Sequence, residues 1–219
     1  METAMQGACI HLWFLSGLLC SLSISAFFIR LRRVRILVAM ALALYATGLA
    51  GMAYGDSPIG FHANFNFRNG PFFALIFFVT GYLLERGKAP CPSWFPIGLS
   101  VAIIGAALHF SELLLLHGNW RTSMVQDYVV GTYFFGVGVA VMALSNDKML
   151  AFPHTASIGP LVPGMYASHY IFVYLLEPVN RNLSGNKAWT VSYPVVVFLF
   201  SCLLAFTMSR SASTKRLVT

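Results

Sequence analysis

The chain predicts an all-α polytopic transmembrane helical bundle of about seven spans, and three observations carry that expectation. Of its 219 residues, 58% are hydrophobic and only 10% charged, against roughly 25% charged and about 45–50% apolar in a soluble domain. The apolar residues gather into seven runs, most of them near the ~20 residues that a bilayer-spanning helix needs. The 14 Lys and Arg, which leave a net charge of +7, fall mainly between those runs, where topology explains them. A basic surface interleaved with aromatics outside the apolar runs is missing, so nucleic acid is excluded as a partner.

The runs follow one another at 11–29, 36–54, 70–84, 97–116, 128–144, 157–176 and 188–208. The first opens on His11 and Trp13 with no basic stretch ahead of it, so it reads as a span rather than a cleavable signal. The second follows the basic run from Arg30 to Arg35. The third is short, and its aromatic lead-in, Phe65 and Phe67, is expected to lengthen it or to mark a re-entrant start. The fourth carries His109 and Glu112, three residues apart and therefore on one helical face. The fifth carries no Asp, Glu, Lys, Arg or His, and the sixth holds His169 behind Pro160, Pro163 and Gly164. The seventh has no lysine inside it, which removes a retinal Schiff base. The connections read as short, so one membrane domain over residues 1–219 is expected.

Orientation follows from the basic residues in alternate connections. Ten lie on one side: Arg30, Arg32, Arg33, Arg35, Arg86, Lys88, Lys148, Arg210, Lys215 and Arg216. Four lie on the other: Arg68, Arg121, Arg181 and Lys187. The side richer in Lys and Arg faces the cytoplasm, which puts the N-terminus outside and the C-terminus in the cytoplasm. A start outside with almost no soluble segment before it leads us to expect further spans upstream.

An ionisable side chain at membrane depth is costly and marks function by default. His169 is the clearest case, with Tyr166 and Ser168 near enough in sequence to hydrogen-bond it and Gly164 allowing another helix to approach. In the expected orientation His169 lies past the midplane, in the outer half. His109 and Glu112 lie at a similar depth, Arg68 at the outer mouth of the third run, and His11 at the outer start of the first. Together they suggest a cavity open to an extracytoplasmic ligand. Each also has a purely structural reading: a helix–helix hydrogen bond for His169, snorkelling for His109 and Glu112, an interfacial cap for His11, and an interfacial anchor for Arg68. Guanidinium forks at Arg32, Arg33 and Arg35 suit phosphate groups and equally suit topology and anionic lipid. Asn64 and Asn66 alternate with Phe65 and Phe67 in a pattern that fits a sugar site or an aromatic belt. Cys9, Cys20, Cys91 and Cys202 form no CxxC pair and read as small hydrophobes. Metal-ligand clusters, HExxH, GxSxG and P-loop motifs are absent from the sequence.

Three pieces then point one way: His11-Leu12-Trp13-Phe14-Leu15; Arg68-Asn69-Gly70-Pro71-Phe72-Phe73 running into Phe77-Phe78-Val79-Thr80-Gly81-Tyr82-Leu83-Leu84; and Ser157-Ile158-Gly159 followed by Gly164-Met165-Tyr166-Ala167-Ser168-His169. In order and spacing the chain resembles the acyltransferase 3 family of bacterial integral-membrane O-acyltransferases, across essentially its whole length. The resemblance implies about ten spans with both termini cytoplasmic, of which this chain is similar to the last seven. It implies transfer of an acyl group, usually acetyl, from acetyl-CoA or another acyl-CoA in the cytoplasm to a hydroxyl of a cell-envelope or exported carbohydrate. The setting it implies is the bacterial inner membrane, with no bound cofactor. The family's principal catalytic pair, an arginine and a histidine on its first span, has no matching position here. The catalytic residues are therefore unknown, and the resemblance moves His169 from catalytic candidate towards a cavity-lining or positioning residue. It leaves the chain alone without the family's principal chemistry, and implies missing N-terminal helices or a partner subunit. Arg68, Tyr166, His109 and Glu112 are the candidates for binding substrate, and Arg32, Arg33 and Arg35 for binding the donor. Two rival classes stay open. A small-solute transporter would use Pro160, Pro163 and Gly164 as a broken helix beside its site, and a seven-helix receptor would use the same span count.

Overall fold

The computed structural model describes residues 13–87, 91–126, 128–145, 159–183 and 185–210. Each apolar run becomes one helix: α1 (Trp13–Arg30), α2 (Val34–Gly51), α3 (Pro71–Arg86), α4 (Phe95–Trp120), α5 (Val130–Ser145), α6 (Val162–Asn182) and α7 (Lys187–Arg210). Short 3-10 turns, Pro92–Trp94 and Gly159–Leu161, lead into α4 and α6. Three stretches, Val34–Gly51, Pro92–Trp120 and Lys187–Arg210, are long and apolar enough to cross a membrane, and Phe14–Arg30 and Val130–Ser145 are shorter apolar helices. The fold is all-helical, without strands among the described residues. It divides into two compact units, Met1–Leu150 and Ala151–Thr219.

In the first unit, α2 presents Leu37, Ala41, Tyr45 and Leu49, every fourth residue and so one stripe. The stripe packs on Leu75, Ile76 and Val79 of α3 and is closed by the fully buried Tyr128. α1 and α3 begin side by side, because a Cβ on Gly17 would lie 2.9 Å from the Gly70 carbonyl oxygen. Gly70 itself has φ 69°, a backbone state that costs glycine little. α4 and α5 run antiparallel with backbones in contact. A Cβ on Gly105 would lie 2.2 Å from the Phe135 nitrogen, and one on Gly138 would lie 2.3 Å from the Ala102 nitrogen. Small residues at such a seam let helices pack where lipid supplies no hydrophobic drive. Ile103, Ile104, Phe110 and Leu114 on the outer face of α4 stay exposed, the pattern a hydrocarbon solvent permits.

The second unit is the α6–α7 hairpin. Phe172 and Phe200 stack at 5.5 Å, Leu161, Met165 and Ala205 are buried between the helices, and the Trp189 indole N–H reaches Asn180 Oδ1 at 3.1 Å near the hairpin end.

Three sequence expectations change. Residues 52–70 are a long irregular connection, and Phe65 and Phe67 do not lengthen the third helix, which starts at Pro71. Phe67 instead turns inward among Phe61, Phe65 and Phe72, with edge-on contacts at 5.6, 5.2 and 5.0 Å. α6 runs on to Asn182, beyond 176, supported by the Glu177–Arg181 pair one turn apart. Pro163 lies in the first turn of α6, where a proline lacks only a donor the helix does not use. It starts a helix rather than breaking one.

Candidate functional site

His169 sits on the face of α6 that turns towards α7, with Met165, Tyr166 and Val173, four, three and four residues away. That spacing forms one wall of a groove of about 580 Å³, whose other wall includes Val197 and Phe198. The imidazole Nδ1 contacts the Tyr166 carbonyl oxygen one turn back. A carbonyl only accepts, so Nδ1 carries the proton and the neutral ring keeps its lone pair on Nε2. The Tyr166 ring lies 5.4 Å away. Ser168, which the sequence offers as a partner, is buried and donates to the Met165 carbonyl at 3.3 Å instead.

His109 and Glu112 are brought together in the first unit, at the start of α5. Glu112 Oε1 accepts the Val130 backbone N–H at 2.9 Å, Glu112 Oε2 accepts that of Gly131 at 3.0 Å, and the Tyr54 hydroxyl donates to Oε1 as well. The first N–H groups of a helix have no partner within it and carry its positive dipole end, so a carboxylate satisfies them doubly. His109 Nδ1 lies 3.0 Å from Thr132 Oγ1, which also accepts the Val129 N–H at 2.9 Å. Tyr45 closes the clasp by donating to the Val129 carbonyl at 2.9 Å. Burial, reinforced by the hydrogen bond to Glu112, pushes the Tyr54 hydroxyl above its ordinary pKa. Three elements, α2, α4 and the 52–70 connection, therefore grip one helix start.

Arg68 lies half-buried in the 52–70 connection beside Phe67, with its backbone N–H on Asn66 Oδ1 at 2.9 Å. That hydrogen bond turns Asn66 back on its own chain. Arg32, Arg33 and Arg35 are exposed at the tight turn between α1 and α2, and make no ion pair among the described residues. Arg32 has φ 55°, a left-handed state uncommon outside glycine, and its N–H caps the Ile29 carbonyl at 2.9 Å. His11 lies outside the described residues, as do Lys88, Lys148, Lys215 and Arg216.

The profile of the acyltransferase 3 family, described as an acyltransferase domain, matches residues 3–210. The chain belongs to the acyltransferase 3 family. No curated protein and no solved structure matches it. The family match and the apolar helices together support a membrane acyltransferase in general terms.

Acyl transfer needs a proton acceptor for the attacking oxygen. Among the described residues His169 is the lining group with an imidazole nitrogen to offer, in a mainly apolar groove that also carries the hydroxyls of Tyr166, Tyr193 and Ser201. Glu112 has both oxygens engaged by α5 and Tyr54, and His109 engages α5 through Nδ1. Sequence reasoning missed Tyr45, the donor to the Val129 carbonyl beside that pair, and Tyr54 and Thr132, the pair's partners. Their contacts span 84, 58 and 23 residues, and no local pattern encodes such separations.

Proposed function

We propose that this acyltransferase 3 chain is a multi-pass membrane O-acyltransferase of the bacterial inner membrane, one membrane domain over residues 1–219 with its C-terminus in the cytoplasm. It transfers an acyl group, acetyl in the simplest case, from a cytoplasmic acyl-CoA to a hydroxyl of an envelope or exported carbohydrate. The observation that carries the reading is the contact of His169 Nδ1 with the Tyr166 carbonyl, which, in the neutral ring, leaves Nε2 to accept. The acceptor hydroxyl approaches Nε2, its oxygen attacks the thioester carbonyl carbon, and its proton passes to the imidazole. The tetrahedral intermediate then collapses, the carbon–sulfur bond breaks, and the leaving thiolate takes the proton back. Tyr166, one turn before His169 on the same helix, contributes a hydrogen bond to the acceptor. Glu112 and His109 serve by holding α5.

Membrane vesicles carrying the chain, given acetyl-CoA labelled in the acetyl group, test this directly. Label is expected covalently on glycan, whereas a transporter would accumulate unmodified solute. His169→Ala should lower the turnover rate by about 10²–10⁴-fold, the usual loss for a general base. His169→Gln keeps an acceptor oxygen that takes no proton, so it should stay as slow as the alanine variant. Recovery of the rate with Gln would reassign His169 from base to positioning residue. Full activity in the alanine variant at normal expression would remove it from the reaction.

A further inference from the structure

A second concave surface on α6 is used neither by the groove nor by the hairpin packing. Tyr174, Glu177, Pro178, Arg181 and Asn182 line a hollow of about 480 Å³ on the last turns of the helix. Four of these five residues bring hydrogen-bonding side chains of both kinds. The Glu177 carboxylate accepts, the Arg181 guanidinium donates, and the Asn182 amide and Tyr174 hydroxyl do both. Arg181 Nε donates to Glu177 Oε1 at 2.8 Å, so the hollow is neutral overall and selects neither anions nor cations.

Two further features shape it. The Tyr174 ring is 72% exposed, yet Tyr170 meets it edge-on at 5.5 Å, which holds the ring while leaving most of it open. Pro178 has no N–H, so the Tyr174 carbonyl loses the donor that a helix normally supplies four residues on. An open aromatic face, a carboxylate, a guanidinium and an amide around one hollow match a neutral polyol. Its C–H face lies on the ring, and neighbouring hydroxyls donate to the carboxylate and accept from the guanidinium.

We propose that this hollow is a subsite for a neutral sugar unit of the carbohydrate acceptor, which rests on the acyltransfer reading above. Glu177 lies eight residues beyond His169, roughly 12 Å along the helix at ~1.5 Å per residue. At about 100° per residue Tyr174 and Pro178 are turned well round α6 from the His169 face, so the path from hollow to groove is longer still. That is longer than a single sugar ring. The acceptor is then an oligosaccharide, with one unit in the hollow and the reacting unit towards His169.

The test is binding of triacetylchitotriose and maltotriose to the chain in lipid nanodiscs, read by saturation-transfer NMR without donor and so without turnover. At least one trisaccharide should bind the parent chain. Tyr174→Ala and Glu177→Gln should each weaken that binding by about tenfold, the scale of one lost hydrogen-bonded or stacked contact. Tyr174→Trp keeps an open ring face and should retain it. Tyr174 is too exposed for its truncation to threaten the fold, and circular dichroism of each variant checks this. In the acyl-transfer assay the same two variants should raise the Michaelis constant for the acceptor with little change for the donor. No saccharide binding by the parent chain, or binding unchanged in both variants, overturns the subsite. Binding that Tyr174→Ala abolishes, in a chain that transfers no acyl group, keeps the sugar subsite and overturns the acyltransfer reading instead.

Discussion

His109 and His169 are the same side chain in two different situations, one in each compact unit. His109 finds its partner across an interface, on Thr132 of α5, beside Glu112, Tyr45 and Tyr54, which converge on the same helix start. His169 finds its partner on its own helix, at the Tyr166 carbonyl, and the residue lines a groove. The comparison separates two uses of a polar group among apolar helices. A group whose hydrogen bonds join separate elements is bound into the fold, since removing it strands buried donors that water cannot reach. A group satisfied locally leaves a valence over, and that valence is free for a ligand.

The comparison breaks first at the glycine seam beneath the clasp. A Cβ on Gly131 would meet the His109 backbone nitrogen at 2.2 Å and its Cα at 2.5 Å, with no flexible side chain to give way. Gly131→Leu should therefore force α4 and α5 apart and abolish folding of the first unit. Loss of the monodisperse peak in detergent size exclusion checks it. A stable Gly131→Leu protein would mean that the clasp tolerates separation and is not what sets the helix spacing. Glu112→Ala comes next. It strands two backbone N–H groups and the Tyr54 hydroxyl, each bonded to a charge and worth about 1.5–3 kcal/mol. Glu112→Gln keeps one acceptor oxygen and should recover roughly half of the loss. Unfolding midpoints in a denaturing-detergent titration measure both, and equal midpoints for all three proteins would turn Glu112 back into a free candidate for substrate.

Much of this was legible in the chain beforehand, for physical reasons that differ by residue. The seven helices among the described residues follow from apolar run length, which needs no partner to be read. His109 and Glu112 sit three residues apart, so their common face was visible, but the occupant of that face was not. Tyr54 lies in the 52–70 connection, whose course is set by tertiary contacts such as Tyr128 on the Phe67 carbonyl. The extension of α6 to Asn182 was hidden by composition, since the polar run Glu177–Asn182 ends an apolar run without ending a helix. Tyr174 was passed over because a tyrosine near a span end reads first as an interfacial anchor. Its openness is a property of the packed hairpin.

The smallest expected effect is also the sharpest test of the two histidines. Thr132→Val keeps the shape of the side chain and removes the oxygen that both His109 and the Val129 N–H contact. Side-chain hydrogen bonds between membrane helices average only about 0.6 kcal/mol, with a maximum near 1.7, and a loss in that range is expected in the detergent titration. His169→Ala deletes a ring that, among the described residues, bonds within its own helix and lies on a groove wall, so its midpoint should move by less than about 0.5 kcal/mol. The two substitutions then cross over: Thr132→Val costs stability and spares acyl transfer, while His169→Ala spares stability and costs acyl transfer. If His169→Ala proved the more destabilising, the Nε2 valence would be serving a partner within the fold. The imidazole would then belong with His109 among the groups that hold helices together, and the base for the transfer would have to come from another side chain.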